Sequence, residues 1–454
     1  MEKDISAGRE ITTGSVMKKL VYFSVPYFIS YFLQTLYGLA DLFIIGKYGS
    51  VADITSVSIG SQVMHMLTVM IVGLAMGATV TIGRFVGADN KREAGNAVGN
   101  TVTLFTVTSL IATVILYLLA KPICAVMSTP AEAVNGAVAY LRICFLGIPF
   151  ITAYNVISSV FRGMGDSKTP MYFVAAACAV NIGLDLLFMG VFAMGPAGAA
   201  LGTTLSQTAS VIIAGVVMKK SMNIGISVKK SDFLPRSDLM GRILRIGVPI
   251  AVQDGLIQVG FVVITIIANL RGLDDAAAVG VVEKFIGIVF LVPSSFLSSI
   301  SALAAQNIGA GKPERAKKTL YDALLLTTVF GIAVSVMTQF CAEDIVRLFK
   351  DDPEVVRLGG EYLRSYVIDC VFAGIHFCFS GYFCALGRSE LSFIHNMCSV
   401  ALVRIPVAYF ASINFPGTLY PMGWASALGS LLSVVICVTA YAVLNKKKAV
   451  EKLG

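Results

Sequence analysis

Twelve long apolar runs limit what this chain can fold into more than any other feature of its sequence. An α-helix needs roughly 20 apolar residues to cross the ~30 Å hydrocarbon core of a bilayer, and all twelve runs reach that length. Their continuity excludes barrel strands, which are ten-residue segments of alternating hydrophobicity. We therefore predict an all-α integral membrane protein with twelve transmembrane helices. The runs lie at 20–45, 54–83, 95–119, 135–160, 170–193, 197–218, 243–270, 276–305, 318–340, 360–386, 390–412 and 422–444.

Composition and motif content argue against an enzyme. Only 14% of the 454 residues are charged, whereas soluble domains carry about 25%. Catalytic signatures such as H-E-x-x-H, G-x-S-x-G and the ATP-binding Walker A pattern do not occur. The net charge of +8 does not indicate a nucleic-acid partner, because no segment is long and polar enough to form a basic soluble domain. We expect no enzyme activity, no cofactor and no ATP-driven step.

The positive residues predict the orientation of the chain in the membrane. When the loops are numbered alternately from the N-terminus, 25 Lys and Arg residues fall on the N-terminal side and six on the opposite side. Cytoplasmic loops carry the excess of positive residues. The bias therefore predicts that both termini are cytoplasmic, and it explains the net charge by topology.

The chain also repeats itself at an offset of about 222 residues. Four pairs of short motifs recur in the same order: Val25-Pro26 with Val248-Pro249, Arg84-x-x-Gly87-Ala88 with Gln306-x-x-Gly309-Ala310, Phe161 to Gly165 with Phe383 to Gly387, and Pro196 to Ala200 with Pro421 to Ala425. The repeat predicts an N-terminal six-helix lobe (1–218), a cytoplasmic linker (219–241) and a C-terminal six-helix lobe (242–454). Two six-helix halves enter the membrane in the same direction, as in transporters that work by rocking two bundles. A non-coupled membrane channel or scaffold with duplicated halves is the alternative.

Several motifs carry a family resemblance. They are Tyr37-Gly-Leu-Ala-Asp41 to Gly46, Arg84-Phe-Val-Gly-Ala88, Phe161 to Pro170, Asn181-Ile-Gly-Leu-Asp185, Gly198-Ala-Ala-Leu-Gly-Thr203 to Gln207, and Gln306 to Gly311. With these motifs the sequence resembles the multidrug and toxic compound extrusion (MATE) family of efflux transporters. The resemblance implies a V-shaped pair of pseudo-symmetric six-helix lobes that exports organic, often cationic compounds in exchange for protons or sodium ions. It also implies a monomer in a prokaryotic plasma (inner) membrane, whose partners are small organic substrates and lipids.

The resemblance assigns roles to particular residues. In similar proteins of the branch named after DinF, the N-terminal lobe binds the coupling cation. Proteins of the branch named after NorM carry two acids in the C-terminal lobe, where this chain has Ile257-Gln258 and the neighbourhood of Ala373. The chain is thus more similar to the DinF branch, and no metal other than sodium is implied. The residues that match the cation or proton site are Asp41, Asn181, Asp185 and Thr203, and those that match the substrate cavity are Gln34, Tyr37 and Asn155.

The residues themselves agree with this assignment in part. Asp185 follows Asn181 by four residues, so the two side chains share one helix face. A carboxylate in the hydrocarbon region is costly unless it is paired, neutralised or in contact with water. Asp41 and Asp185 are therefore candidates for binding an ion or a proton, or they bond to the backbone at kinks. Spacing alone does not bring them together, since they lie on different helices.

Three further acids lie within spans of the C-terminal half. Asp254, Glu283 and Asp369 have no family motif behind them. Two basic residues also lie within spans of this half: Lys284 follows Glu283 directly, and Arg404 lies in the run 390–412. Lys284 with Asp254, and Arg404 with Asp369, are candidate structural ion pairs; a substrate or proton role is the alternative. A lipid-linked sugar flippase of the same superfamily is a second function to consider, but it would need a strongly cationic cavity.

The repeat offset also indicates which half couples to ions. It carries Asp41 onto Ile264 and Asn181 onto Arg404. The C-terminal half therefore lacks an acid at the first position and has a positive charge at the second. We predict that ion coupling resides in the N-terminal half alone.

Overall fold

A computed structural model describes residues 11–221 and 228–451. Its long helices correspond to the twelve apolar runs, and we number them α1 to α12. Five of the twelve contain a break or a π-helical turn. The bounds are α1 Val16–Tyr48, α2 Val51–Gly87, α3 Lys91–Val126, α4 Ala131–Leu146 and Ile148–Met164, α5 Lys168–Asp185 with a π turn at Leu186–Val191, α6 Gly195–Ser221, α7 Ser237–Asn269, α8 Leu273–Val289 and Leu291–Gly309, α9 Pro313–Arg347, α10 Pro353–Tyr366 and Asp369–Ala385, α11 Ser389–Asn414 with a π turn at Val400–Arg404, and α12 Tyr420–Glu451.

The described helices confirm the all-α membrane fold. Ten are long and apolar enough to cross a bilayer, and the count reaches twelve when each of two bent pairs is one span. The bent pairs are α4, with a bend of 46°, and α10, with a bend of 42°. They occupy corresponding places in the two halves, as the repeat predicts.

A proline lies beside the interruption in two of the spans. In α4 the second segment starts at Ile148 with Pro149 in its first turn, and in α11 Pro406 follows the π turn in the same way. Proline is tolerated there because the first turn of a helix needs no amide donor. The break in α10 has no proline and is followed at once by Asp369.

Contacts between Cα atoms divide the chain into two compact units. The first consists mainly of Val21–Ala251 and includes Ala305–Lys312, and the second consists of Val252–Ala304 and the chain from Pro313 on, with Val16–Leu20. Each unit has its own apolar core. Tyr140, Leu141 and Phe145 lie in the core of the first, and Tyr362 and Tyr366 in that of the second.

The outer faces of many helices are apolar and exposed. On α3, Val107, Ile111, Val114 and Leu118 repeat at helical spacing, and the exposed fraction of Leu118 reaches 71%. Such a continuous apolar face would be unstable in water but is suited to lipid chains. The exposed hydrophobic side chains are therefore those expected of membrane spans.

Two of the repeated motifs pack against each other in the first unit. A Cβ atom on Gly87 would lie 2.0 Å from the Gln306 carbonyl oxygen, and one on Gly309 would lie 2.0 Å from the Arg84 carbonyl oxygen. The Gln306 amide also donates to the Gly163 carbonyl at 2.7 Å. These motif glycines therefore allow the ends of α2 and α8 to touch backbone to backbone.

Candidate functional site

The N-terminal half brings together four polar side chains that come from three helices. Asp41 lies on α1, Asn181 and Asp185 lie in the last turns of α5 before its π turn, and Thr203 lies on α6. The Asp41 carboxyl interacts directly with the side chains of Asp185, Thr203 and Asn181. The Thr203 hydroxyl donates to Asp41 Oδ2 at 3.4 Å. We call this group the N-half carboxyl cluster.

Burial of the N-half carboxyl cluster is nearly complete. Asp41 is 3% exposed, Asn181 1% and Asp185 0%. Within residues 11–221 and 228–451, five atoms have no partner of good hydrogen-bond geometry: Asp41 Oδ1, both carboxyl oxygens of Asp185 and both polar atoms of the Asn181 amide. Buried polar atoms are almost always hydrogen-bonded, so five such atoms in one place indicate a site for a ligand that they share.

The N-half carboxyl cluster contains two acids, and their charges are not balanced by a nearby basic side chain among the described residues. Within the described residues, neither Asp41 nor Asp185 forms an ion pair with Lys or Arg. Two negative charges about 4 Å apart repel by about 4 kcal/mol at the effective dielectric constant of a protein. The cluster is therefore stable only when a proton or a cation compensates at least one of the charges.

Gly202 provides the space for the Asp185 carboxyl, a role that the sequence alone does not reveal. A Cβ atom at Gly202 would lie 2.0 Å from Asp185 Oδ1. The signal was present, because Gly202 directly precedes Thr203 in the motif Gly198-Ala-Ala-Leu-Gly-Thr203. Spacing did not show which side chain this glycine faces.

The three residues that match the substrate cavity lie at different distances from the cluster. Tyr37 lies one helical turn before Asp41 and is close to Asp41 and to Tyr154. Asn155 is buried on α4, and its amide donates to the Ile151 carbonyl of its own helix at 2.8 Å. Gln34 is half-buried on α1. The cavity role of these residues stays a prediction.

In the C-terminal half the structure forms one of the two candidate ion pairs. Arg404 Nη2 lies 3.1 Å from Asp369 Oδ2, with both side chains buried. Arg404 and then Lys284 are the positive charges that act on the Glu283 carboxyl. Asp369, Glu283 and Arg404 are thus gathered in the second unit, around the π turn of α11.

The other candidate pair, Lys284 with Asp254, is wrong. Lys284 lies on α8 and is exposed. Asp254 is half-buried on α7, where it accepts a hydrogen bond from Gln253 Nε2 at 3.4 Å and lies near Cys384. The physical reason is that the two side chains face different surroundings, which the spacing along the chain does not reveal.

Comparisons with known proteins agree on one family. The family model described as MatE matches residues 26–187 and 249–410. The two matches are displaced by 223 residues, which confirms the internal repeat.

Relatives and solved structures cover nearly the whole chain. "Probable multidrug resistance protein YpnP" of Bacillus subtilis is 28% identical over 397 residues, which is 87% of this chain and 88% of that protein. "Probable multidrug resistance protein YoeA" of the same organism is 25% identical over 452 residues, with 97% and 96% covered. A solved structure described as an outward-facing conformation of a multidrug resistance MATE family transporter matches with a TM-score of 0.90 at 20% identity, covering 97% of this chain and 99% of that one. At this identity the structural match shows a common fold.

Proposed function

The chain belongs to the MatE family of multidrug efflux transporters, and we propose that it is a secondary active exporter driven by an ion gradient. It exports organic, often cationic compounds by alternating access, in exchange for protons or sodium ions. The observation that carries the proposal is the buried pair Asp41 and Asp185, whose carboxyls lie together without a basic partner among the described residues.

A coupling ion would stabilise the arrangement in which α1, α5 and α6 meet. Without the ion, the two carboxylates repel each other at close range. Separation of the helices that carry them then lowers the electrostatic free energy. A ligand shifts a conformational equilibrium only by its difference in affinity for the two states. Because the cluster is assembled from three helices, a change in their packing changes the affinity for the ion, which is the requirement for coupling.

The donor set suits either of two ions. Carboxylates, an amide oxygen and a hydroxyl are hard oxygen ligands of the kind that hard metal cations take, so the four side chains can hold a sodium ion. Two adjacent carboxyls can instead share a single proton. We propose that these residues bind one such ion at a time, and that Gln34, Tyr37 and Asn155 line the path of the organic substrate.

The remaining parts of the proposal follow from the same observations. The acids of the N-half carboxyl cluster support our proposal that the protein belongs with the branch named after DinF. The excess of Lys and Arg on one side supports a plasma-membrane protein with both termini in the cytoplasm. Since each unit has its own core, we propose that a single chain performs transport.

The test is transport by purified protein in proteoliposomes. Export of a cationic dye should require an imposed proton or sodium gradient, and Asp41→Asn and Asp185→Asn should each abolish it. Asp254→Asn is the matched control, because it removes a membrane carboxyl from the other half and should leave coupling in place. All variants are compared at equal amounts of folded protein, judged by gel filtration and thermal melting.

Three outcomes would contradict the proposal. Normal gradient-driven transport by the Asp41 or Asp185 variants would exclude the N-half carboxyl cluster as the coupling site. Dye movement that ignores both gradients would indicate a channel. Movement of a lipid-linked sugar, but of no dye, would indicate the flippase.

A further inference from the structure

Arg404 occupies the place in the C-terminal half that Asn181 occupies in the N-terminal half. The displacement of 223 residues between the two MatE matches carries Asn181 onto Arg404. Both residues lie on the fifth span of their half: Arg404 is the last residue of the π turn of α11, and Asn181 lies five residues before the π turn of α5. A neutral amide in one half is thus replaced by a permanent positive charge in the other.

The surroundings of Arg404 contain the same kinds of group as the N-half carboxyl cluster. Arg404 is 8% exposed and pairs with Asp369, which is 0% exposed, and the Ser430 hydroxyl lies beside the Asp369 carboxyl. Glu283 supplies a second carboxyl close to the guanidinium. Two carboxyls and a hydroxyl are therefore gathered in each half, and the halves differ in the side chain between them.

Several buried atoms of this group lack a hydrogen-bond partner in the part of the chain that the structure describes. They include Asp369 Oδ1, Glu283 Oε1 and Arg404 Nε. A guanidinium has five donors in a planar fork, which is enough to form two-point hydrogen bonds with a carboxylate. If Arg404 served only to pair fully with the two acids, fewer of these atoms would lack a partner. The guanidinium therefore compensates charge in this group without satisfying every hydrogen bond.

We propose that Arg404 is a tethered counter-ion that fills a latent monovalent-cation site of the C-terminal half. With an amide at position 404, Asp369, Glu283 and Ser430 would bind a sodium ion or a proton as the N-half carboxyl cluster does. The inference takes that cluster as its template, and in this respect it rests on the proposed function.

The consequence is that only one half exchanges ions. A guanidinium stays charged at all physiological pH values and is covalently held, so it neither leaves nor follows a gradient. The C-terminal half keeps its acids compensated in every state of the transport cycle. Arg404 thereby limits the coupling to the ion bound by the N-terminal half.

The experiment measures ion binding in a background that lacks the N-half site. In Asp41→Asn protein, addition of Arg404→Asn should raise bound ²²Na⁺ at pH 8 from about none to about one per chain, or should add one proton whose uptake a pH indicator records. Arg404→Lys is the matched control, because it keeps a tethered charge and should add neither. A third substitution, Asp369→Asn, should remove the newly gained binding.

Arg404→Gln repeats the test with a longer amide in case Arg404→Asn does not assemble. A folded amide variant that binds neither sodium nor an added proton overturns the inference. So does a failure of both amide variants to fold in saturating sodium, since a filled cation site would then not replace the arginine. These readouts do not involve transport, so they are independent of whether Asp41→Asn abolishes export.

Discussion

Gly202 determines where the Asp185 carboxyl lies. Adding one methyl group at Gly202 tests how strongly export depends on the position of this carboxyl. In Gly202→Ala the new Cβ atom would lie 2.0 Å from Asp185 Oδ1. Carbon and oxygen atoms not bonded to each other need about 3.5 Å, so the carboxyl must move by roughly 1.5 Å. Functional groups work within about 0.5 Å of their best geometry, and a 1 Å displacement lowers rates by about 10²-fold. We expect gradient-driven export to fall by about 100-fold.

Two neighbouring glycines provide matched controls for this prediction. A Cβ atom at Gly38, on α1 near Asp41, or at Gly183, on α5 near Asp185, would meet no atom within 4 Å. Alanine favours a helix over glycine by roughly 0.5–1 kcal/mol, so Gly38→Ala and Gly183→Ala should be at least as stable as the parent. Both should export dye at nearly the parental rate.

The assay compares the three alanine variants in proteoliposomes under the same imposed gradient. Ion binding is measured in parallel, because displacement of Asp185 should weaken binding and transport together. Thermal melting shows whether Gly202→Ala remains folded. The reasoning is refuted if well-folded Gly202→Ala binds the ion and exports dye within about twofold of Gly183→Ala.

Two further predictions concern the loops. Single cysteines introduced into a cysteine-free background at Glu132 and Asp351 should react with an impermeant maleimide from outside the cell, and those at Lys230 and Glu314 only from inside; the reverse pattern would overturn the predicted orientation. In the loop before α7, burial favours the neutral form of Asp232, but the Lys229 amide and the Arg92 guanidinium outweigh it and hold the pKa of Asp232 below its usual value. The ionised Asp232 therefore stabilises the fold at neutral pH, and this stabilisation is lost as the pH falls through the pKa of Asp232 in the folded state. Asp232→Asn should lower the melting temperature at pH 7. The difference in melting temperature between the variant and the parent should shrink below about pH 4. A difference that stays constant with pH would contradict this account.

The sequence alone was sufficient for the features that depend on length and on order along the chain. A run of about 20 apolar residues has few options in a bilayer other than a helix, because unpaired backbone groups are too costly there. The twelve spans and the all-α fold were therefore predictable, and the structure shows them. The repeat was predictable as well, since duplicated halves keep their motifs at one offset, as the pair of MatE matches confirms.

Features that depend on which helices meet were decided only by the tertiary structure. Apolar spans resemble one another, and their packing depends on side-chain shape rather than on distance along the chain. The family resemblance predicted the contact of Asp41 with Asp185, whereas the spacing along the chain did not. Neither of them predicted that Gly202 lies against the Asp185 carboxyl. Arg404 was assigned its correct partner, whereas Lys284 was not, because only the fold determines which face of α8 is exposed. Sequence determines which residues enter the membrane, and packing determines which of their charges compensate one another.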